Sequence, residues 1–240
     1  MTTTTLIATA PPMSKISRLA PLSGVTFVVL VLAHAVIALD GLPSIGAPAN
    51  DIVRYVTDKQ PEIQLGAYLQ GLAMVAFLWF HASLFGRLRA AEHGPARLSL
   101  VAVAGAIGTV ALLGIHISLM TVLAVRGDQL GSDVVTFAWV LCFLVLGMSS
   151  FTVATTMSAA GIVILRTRPL PGWLGIGALV DAALWLVGGA GAASTADLWA
   201  TIGMIAFLLW LAWIATTSVV LVTRSQSVSR HVHAPDEGAR

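Results

Sequence analysis

Cys142 is the only thiol in the chain, so no intrachain disulfide is available and the redox compartment leaves no trace. Set inside an apolar run, it reads as a small buried hydrophobe. Charge is also scarce. Only 10% of the 240 residues are Asp, Glu, Lys or Arg, against about 25% in soluble domains. With 57% hydrophobic residues, a soluble domain of this length would expose large apolar patches and aggregate. A formal net charge of +2 gives no footprint for nucleic acid. The chain has no P-loop, G-x-S-x-G elbow, H-E-x-x-H pair or G-x-G-x-x-G turn, and no regularly spaced intramembrane arginines. These absences speak against an enzyme, and no motif calls for a metal or a cofactor.

Six long apolar segments dominate instead, near 20–39, 64–86, 99–125, 135–165, 172–191 and 197–222. About 20 apolar residues rising 1.5 Å each cross a hydrocarbon layer of ~30 Å. The expected fold is an all-α polytopic transmembrane bundle of six spans, a single domain over 19–224. Disordered tails are expected at 1–18, which is Thr-rich and holds Pro11-Pro12, and at 225–240.

Adjacent spans alternate in direction, which sorts the ends and loops into two groups. One group carries Lys15, Arg18, Arg87, Arg89, Arg97, Arg166, Arg168, Arg224, Arg230 and Arg240; the other carries only Arg54, Lys59 and Arg126. Ten basic residues against three is a positive-inside bias, so both termini are expected in the cytoplasm of a cell that carries the chain in its plasma or inner membrane. A competing reading makes the first span a signal peptide cleaved near Ala33-His34-Ala35. The apolar run continues through Val36-Ile37-Ala38-Leu39, long enough to span.

Between spans, Asp40 to Glu62 forms the largest outer loop. Asn50-Asp51 is read as a helix N-cap and Pro61 as the end of a short helix. Ile52, Val53 and Val56 share one face of it, so it should lie on the outer membrane surface with Tyr55 near the headgroups. The 87–98 connector reads as one basic helical turn closed by Gly94-Pro95. The short Arg166–Pro171 link makes spans four and five neighbours. Span four is too long for the bilayer: either its first turns stand outside, which Ser132-Asp133 favours, or Gly147-Met148-Ser149-Ser150 kinks it. Ala104, Gly105 and Gly108, and Gly175, Gly177, Ala178, Gly188 and Gly189, mark helix contacts. Ser149, Thr152 and Thr156 form a stripe with Thr155 and Ser158 beside it, and such hydroxyls bond the carbonyl one turn back.

A few polar side chains fall where lipid penalises them. Asp181, mid-way along span five, costs at least ~2.5–3.5 kcal/mol as a carboxylate and should face the bundle interior. It reads as a proton or cation site, a counter-charge for an amine, or a neutral carboxyl bonded to a neighbouring helix. His34 and His116 each lie roughly 20–25 Å up their helices from the arginine-bearing end, and Gln70 sits at a similar level. Two histidines at one depth suit haem or a transition metal, or an interhelical hydrogen bond to Gln70 or a hydroxyl. His81, in Leu78-Trp79-Phe80-His81, reads as interfacial. His231 and His233 belong to the tail. Trp79, Trp173 and Trp199 suit an aromatic belt, while Trp185, Trp210 and Trp213 are deeper packing residues.

Three stretches carry a resemblance. They are Asn50-Asp51-Ile52-Val53-Arg54-Tyr55; Phe77-Leu78-Trp79-Phe80 running into Leu88-Arg89-Ala90-Ala91-Glu92 and Gly94-Pro95-Ala96-Arg97-Leu98-Ser99; and Leu165-Arg166-Thr167 followed by Pro171-Gly172-Trp173-Leu174-Gly175. Together they resemble a loose family of uncharacterised multi-pass membrane proteins common in actinobacteria. The resemblance implies a bacterial inner membrane and no known activity, and it assigns no role to His116 or Asp181. The expected function is an accessory subunit or a small-solute transport component, with the lipid bilayer and a membrane-protein partner or second copy as its contacts. The alternative is a proton-coupled carrier or haem-bearing redox protein using Asp181 with His34 and His116.

Overall fold

A computed structural model describes residues 20–191, 194 and 197–232, side chains at 197, 200 and 225–232 excepted; the expected N-terminal tail lies outside the described residues. Among these residues there are seven α-helices and no strand: α1 (Ser23–Ala38), α2 (Ala49–Asp58), α3 (Gln60–Ala91), α4 (Arg97–Arg126), α5 (Ser132–Thr167), α6 (Gly172–Ala190) and α7 (Asp197–Val232). All but α2 are long and apolar enough to cross a membrane. The six spans are as expected.

Each spanning helix packs on the next in the order α1, α3, α4, α5, α6, α7, and α7 returns to α1 to close a ring. Phe27 of α1, Phe77 of α3 and Trp210 of α7 meet at the closure, with ring centroids 4.9–5.5 Å apart. Cleavage after Ala35 would therefore strip Phe27 and Val31 from the core. Outside the ring the surface is apolar. Val36 is 78% exposed and Phe137 68%, with Leu100, Val29 and Ile176 also turned outward. Water would not tolerate such a surface, and a hydrocarbon layer requires it.

Small residues set the tightest crossings. Cβ atoms added at Gly105 of α4 would fall 2.8 Å from Thr152 O and 2.9 Å from Thr156 N of α5, and one at Gly161 of α5 would fall 2.9 Å from Gly175 O of α6. The hydroxyls of Thr109 and Thr152 bridge the first of these seams at 2.8 Å. In lipid there is no hydrophobic drive between helices, so such close backbone approach carries the association.

Several local expectations change. α2 begins at Ala49 after Pro48, not at Asn50-Asp51, and Pro61 opens α3 in its first turn, where its missing N–H has no helical partner to lose. α2 does not rest on lipid: Ile52, Tyr55 and Val56 are buried against Met120, Leu123, Val135 and Trp139 of α4 and α5. The first turns of α5 rise to meet it, and α5 runs unbroken through Gly147–Ser150, where Ser149 Oγ donates to Leu146 O at 2.6 Å. α3 continues to Ala91, so the 87–98 segment is helix followed by a 92–96 turn. There Glu92 caps α4, accepting from Leu98 N (3.1 Å), Ser99 N (2.9 Å) and Ser99 Oγ (2.7 Å). Its desolvation is outweighed by these bonds and by the nearby charge of Arg166, which together hold the carboxyl below the usual glutamate range. α7 continues to Val232, into the stretch expected as a disordered tail from 225, because no Gly or Pro interrupts it; 233–240 lie outside the described residues.

Gly105→Ala should lower thermal stability in detergent by about 1–3 kcal/mol through overpacking at backbone atoms. Gly114→Ala, where an added Cβ meets nothing within 4 Å, should be neutral or raise the melting temperature.

Candidate functional site

Two groups of polar side chains occupy the ring at different heights. The first includes Asp181 of α6, which is 1% exposed and has no hydrogen-bond partner for either carboxyl oxygen. Trp185 Nε1, one turn on, comes close enough to interact with that carboxyl but falls short of hydrogen-bond geometry. His81 of α3 and Thr217 of α7 are buried beside the same apolar cluster, and His81 Nε2, Trp185 Nε1 and Thr217 Oγ1 likewise lack partners. A main-chain carbonyl can only accept, so the 3.0 Å contact from His81 Nδ1 to Phe77 O leaves Nε2 as an open acceptor. Measured along their helices, His81, Asp181 and Thr217 stand about 15, 14 and 11 Å from Ala91, Gly172 and Arg224, at comparable depth. An aromatic chain links the three helices: Trp185–Trp210 at 6.1 Å, Trp210–Phe77 at 5.5 Å and Phe77–His81 at 4.0 Å.

The second group lies nearer the opposite end. His34 of α1 and His116 of α4 line one small cavity of about 10 Å³ with Ala38, Leu39, Ile63, Ile117 and Met120. Neither histidine turns to Gln70, which is 8% exposed and one turn from Gly66 on α3. His34 Nδ1 meets Gly66 O at 3.0 Å, and His116 Nδ1 meets Cys142 O at 3.0 Å with Cys142 Sγ 3.1 Å away. In each ring Nδ1 therefore carries the proton and Nε2 keeps its lone pair. Among the described residues no three His, Cys, Asp or Glu side chains converge as a metal cluster.

α2 and the loop before it close this end as a cap. Tyr55 Oη donates to Ala38 O at 2.6 Å, Trp139 Nε1 to Ser44 O at 3.0 Å, and Lys59 Nζ lies 2.8 Å from Asp40 Oδ2. The Lys59 ammonium, by hydrogen bond and by charge, holds the exposed Asp40 carboxyl below the usual aspartate range. Burial, with the Asp40 charge adding to it, pushes the Tyr55 hydroxyl up to about 12. The signs follow. Asp40's contribution is present above the ordinary aspartate pKa and fades as pH falls through its depressed folded value. Tyr55's is present below the ordinary tyrosine pKa near ~10 and is lost as pH rises through about 12.

The structure thus brings His34 and His116 together and sets Asp181 apart from both. His116 is about 15 Å higher along its helix than Asp181 is along its own, counting from the Arg97 and Gly172 ends. Sequence reasoning missed His81, Trp185 and Thr217. His81 was expected at the interface, but it is 4% exposed and packed between Phe77 and Phe80. Ending span two at 86 rather than Ala91 had brought it a turn too near the surface. Trp79 and Trp173, by contrast, do face outward, and Trp210 and Trp213 are packing residues.

Comparison with known proteins finds no matching family model, curated protein or solved structure. The chain is a six-span helical membrane protein.

The single cysteine reports on the cap, since Cys142 is buried beneath Tyr55 and Trp139. Tyr55→Phe removes one hydrogen bond worth about 1 kcal/mol and should speed maleimide labelling of Cys142 roughly fivefold. Unchanged labelling would show that the cap does not depend on that bond.

Proposed function

We propose that the chain is a proton-handling transport component of a bacterial plasma or inner membrane, with Asp181 as the group that gains and loses the proton. The observation that carries this reading is a fully buried carboxyl, both of whose oxygens lack a partner. Such an orphan costs about 1–3 kcal/mol, and more as a carboxylate in hydrocarbon. A chain that needed only packing at 181 would carry an apolar residue there. His81 and Thr217, with open polar atoms at a similar depth on α3 and α7, supply further polar stations at the level of Asp181. This replaces His34 and His116 as the carboxyl's companions.

A haem-based version loses support on size, because a cavity of about 10 Å³ between the histidines cannot take a porphyrin. The same volume leaves a solute larger than water no room beside them. That tightness is what favours the second reading, an accessory subunit that itself passes no solute and works beside a membrane-protein partner or a second copy. Purification from native membrane at gentle detergent would then return a stoichiometric partner.

In proteoliposomes carrying an internal pH dye, an acid pulse should acidify the lumen through the wild-type protein, and Asp181→Asn should abolish that flux. His81→Gln should slow it. Equal flux with and without the carboxyl would end the proposal, provided both proteins protect Cys142 alike. The arginine-bearing ends are assigned to the cytoplasm on their charge. They share one end of the bundle, with Arg224 Nη1 3.3 Å from Pro169 O. Tags in the 92–96 turn and after α7 should therefore both be reached only from the cytosol.

A further inference from the structure

We infer that His34, His116 and Met120 form a binding site for one soft monovalent metal ion, Cu(I) in the cell and Ag(I) as its redox-inert stand-in. Three observations meet there. Both imidazoles have Nδ1 anchored to main-chain carbonyls, Gly66 O and Cys142 O, each at 3.0 Å. Each anchor fixes tautomer and ring orientation and leaves Nε2 as an unused lone pair. Metal-binding histidines are supported in this way by their outer partners. Both rings share a cavity of about 10 Å³, the size of a single atom-like guest. Met120, 5% exposed, also lines this wall, and its thioether is the third donor the site would use.

The donor set selects the ion. The remaining wall is Ala38, Leu39, Ile63 and Ile117, so no carboxylate or hydroxyl is present for a hard cation such as Ca²⁺ or Mg²⁺. Zn²⁺ is held by thiolate, imidazole or carboxylate, at least three of them even in open sites, and this wall offers two imidazoles and a thioether. Two imidazoles and a thioether are borderline-to-soft donors that suit copper, most of all its monovalent form. Charge points the same way, since the Born cost of burying an ion scales with the square of its charge and is about four times smaller for a monovalent than for a divalent ion. Both histidines enter as neutral ligands, so binding releases no proton from Nδ1 and no electron is transferred. The cap over Ala38 keeps competing water from the ion.

The test measures Ag(I) uptake by the full chain purified in detergent, in a His231→Ala/His233→Ala background that removes tail histidines. One equivalent should survive gel filtration and raise the melting temperature. His34→Gln keeps a donor for Gly66 O, so it tests the ligand rather than the fold, and His116→Asn does the same for Cys142 O. Each should weaken binding by at least the about 10–100-fold seen when an outer-shell partner is lost. Met120→Leu should weaken it while leaving the protein's own melting temperature within a few degrees. X-ray absorption of the wild-type complex should show nitrogen together with one sulfur around silver. Uptake unaffected by both histidine substitutions, no bound equivalent in the parent, or a shell without nitrogen would each overturn the site.

Discussion

The approach of α5 to its two neighbours is the constraint on which the bundle depends. Lipid chains are as apolar as leucine, so burying leucine between helices gains little, and contact must come from backbone surfaces brought close enough for many dispersion contacts. Gly105 against Thr152 and Thr156 on one side, and Gly161 against Gly175 on the other, supply that approach. The ring's most extensive contacts lie along these two seams. α5 is thereby fixed as a spine, and its first turns, held above the ring, become the floor on which α2 folds. Trp139 illustrates the dependence: it packs against Tyr55 of the cap while its indole N–H holds Ser44 of the preceding loop.

Against that packed background, polar groups divide by whether the helix itself satisfies them. Thr121, Thr155 and Thr216 return their hydroxyls to carbonyls one turn back and ask nothing of their neighbours. His34 and His116 need another helix, and each finds a carbonyl there. Asp181, His81, Trp185 and Thr217 are left with open valences. The contrast carries weight because the same sequence contains the inexpensive solution many times over. Where it departs from that solution on α3, α6 and α7 at comparable depth, a structural explanation would have to find partners the packing does not supply.

Much of this was legible in the residues. Six spans followed from hydrocarbon thickness, and a common depth for His34 and His116 from counting along two helices; that they share a cavity, rather than one of them bonding Gln70, did not. The burial of Asp181 followed from the penalty on charge in lipid. Besides the helix ends, what failed was rotation: the turn of a helix about its own axis is not written in an apolar run. With nearly every face hydrophobic, nothing distinguished the side of α3 that carries His81 inward from the side that carries Trp79 to lipid. The cap was misplaced for a related reason. Ile52 and Val56 make an apolar face that fits a membrane surface or a protein surface equally well, and only the presence of Met120, Leu123 and Val135 beneath it decides between them. The Gly147–Ser150 segment stayed straight because serine hydroxyls can satisfy carbonyls without opening the helix.

α3 ties the two polar groups into one framework. Its Gly66 carbonyl holds His34 near one end, and His81 stands about 22 Å further along the same unbroken helix. Gly66 also fixes the distance, since a Cβ there would fall 2.6 Å from Ala38 Cβ and 2.8 Å from His34 Nδ1. The helix cannot slide or turn at that level without breaking the carbonyl bond that sets the histidine's tautomer. A displacement of α3 near His81 therefore has two outcomes: bending within the helix, for which its sequence offers Gly71 as a position free of neighbouring contacts, or disturbance of the His34 anchor and of the cap above it. Close packing at Gly66, and the open space around an added Cβ at the outward-facing Gly71, make bending the less costly of the two.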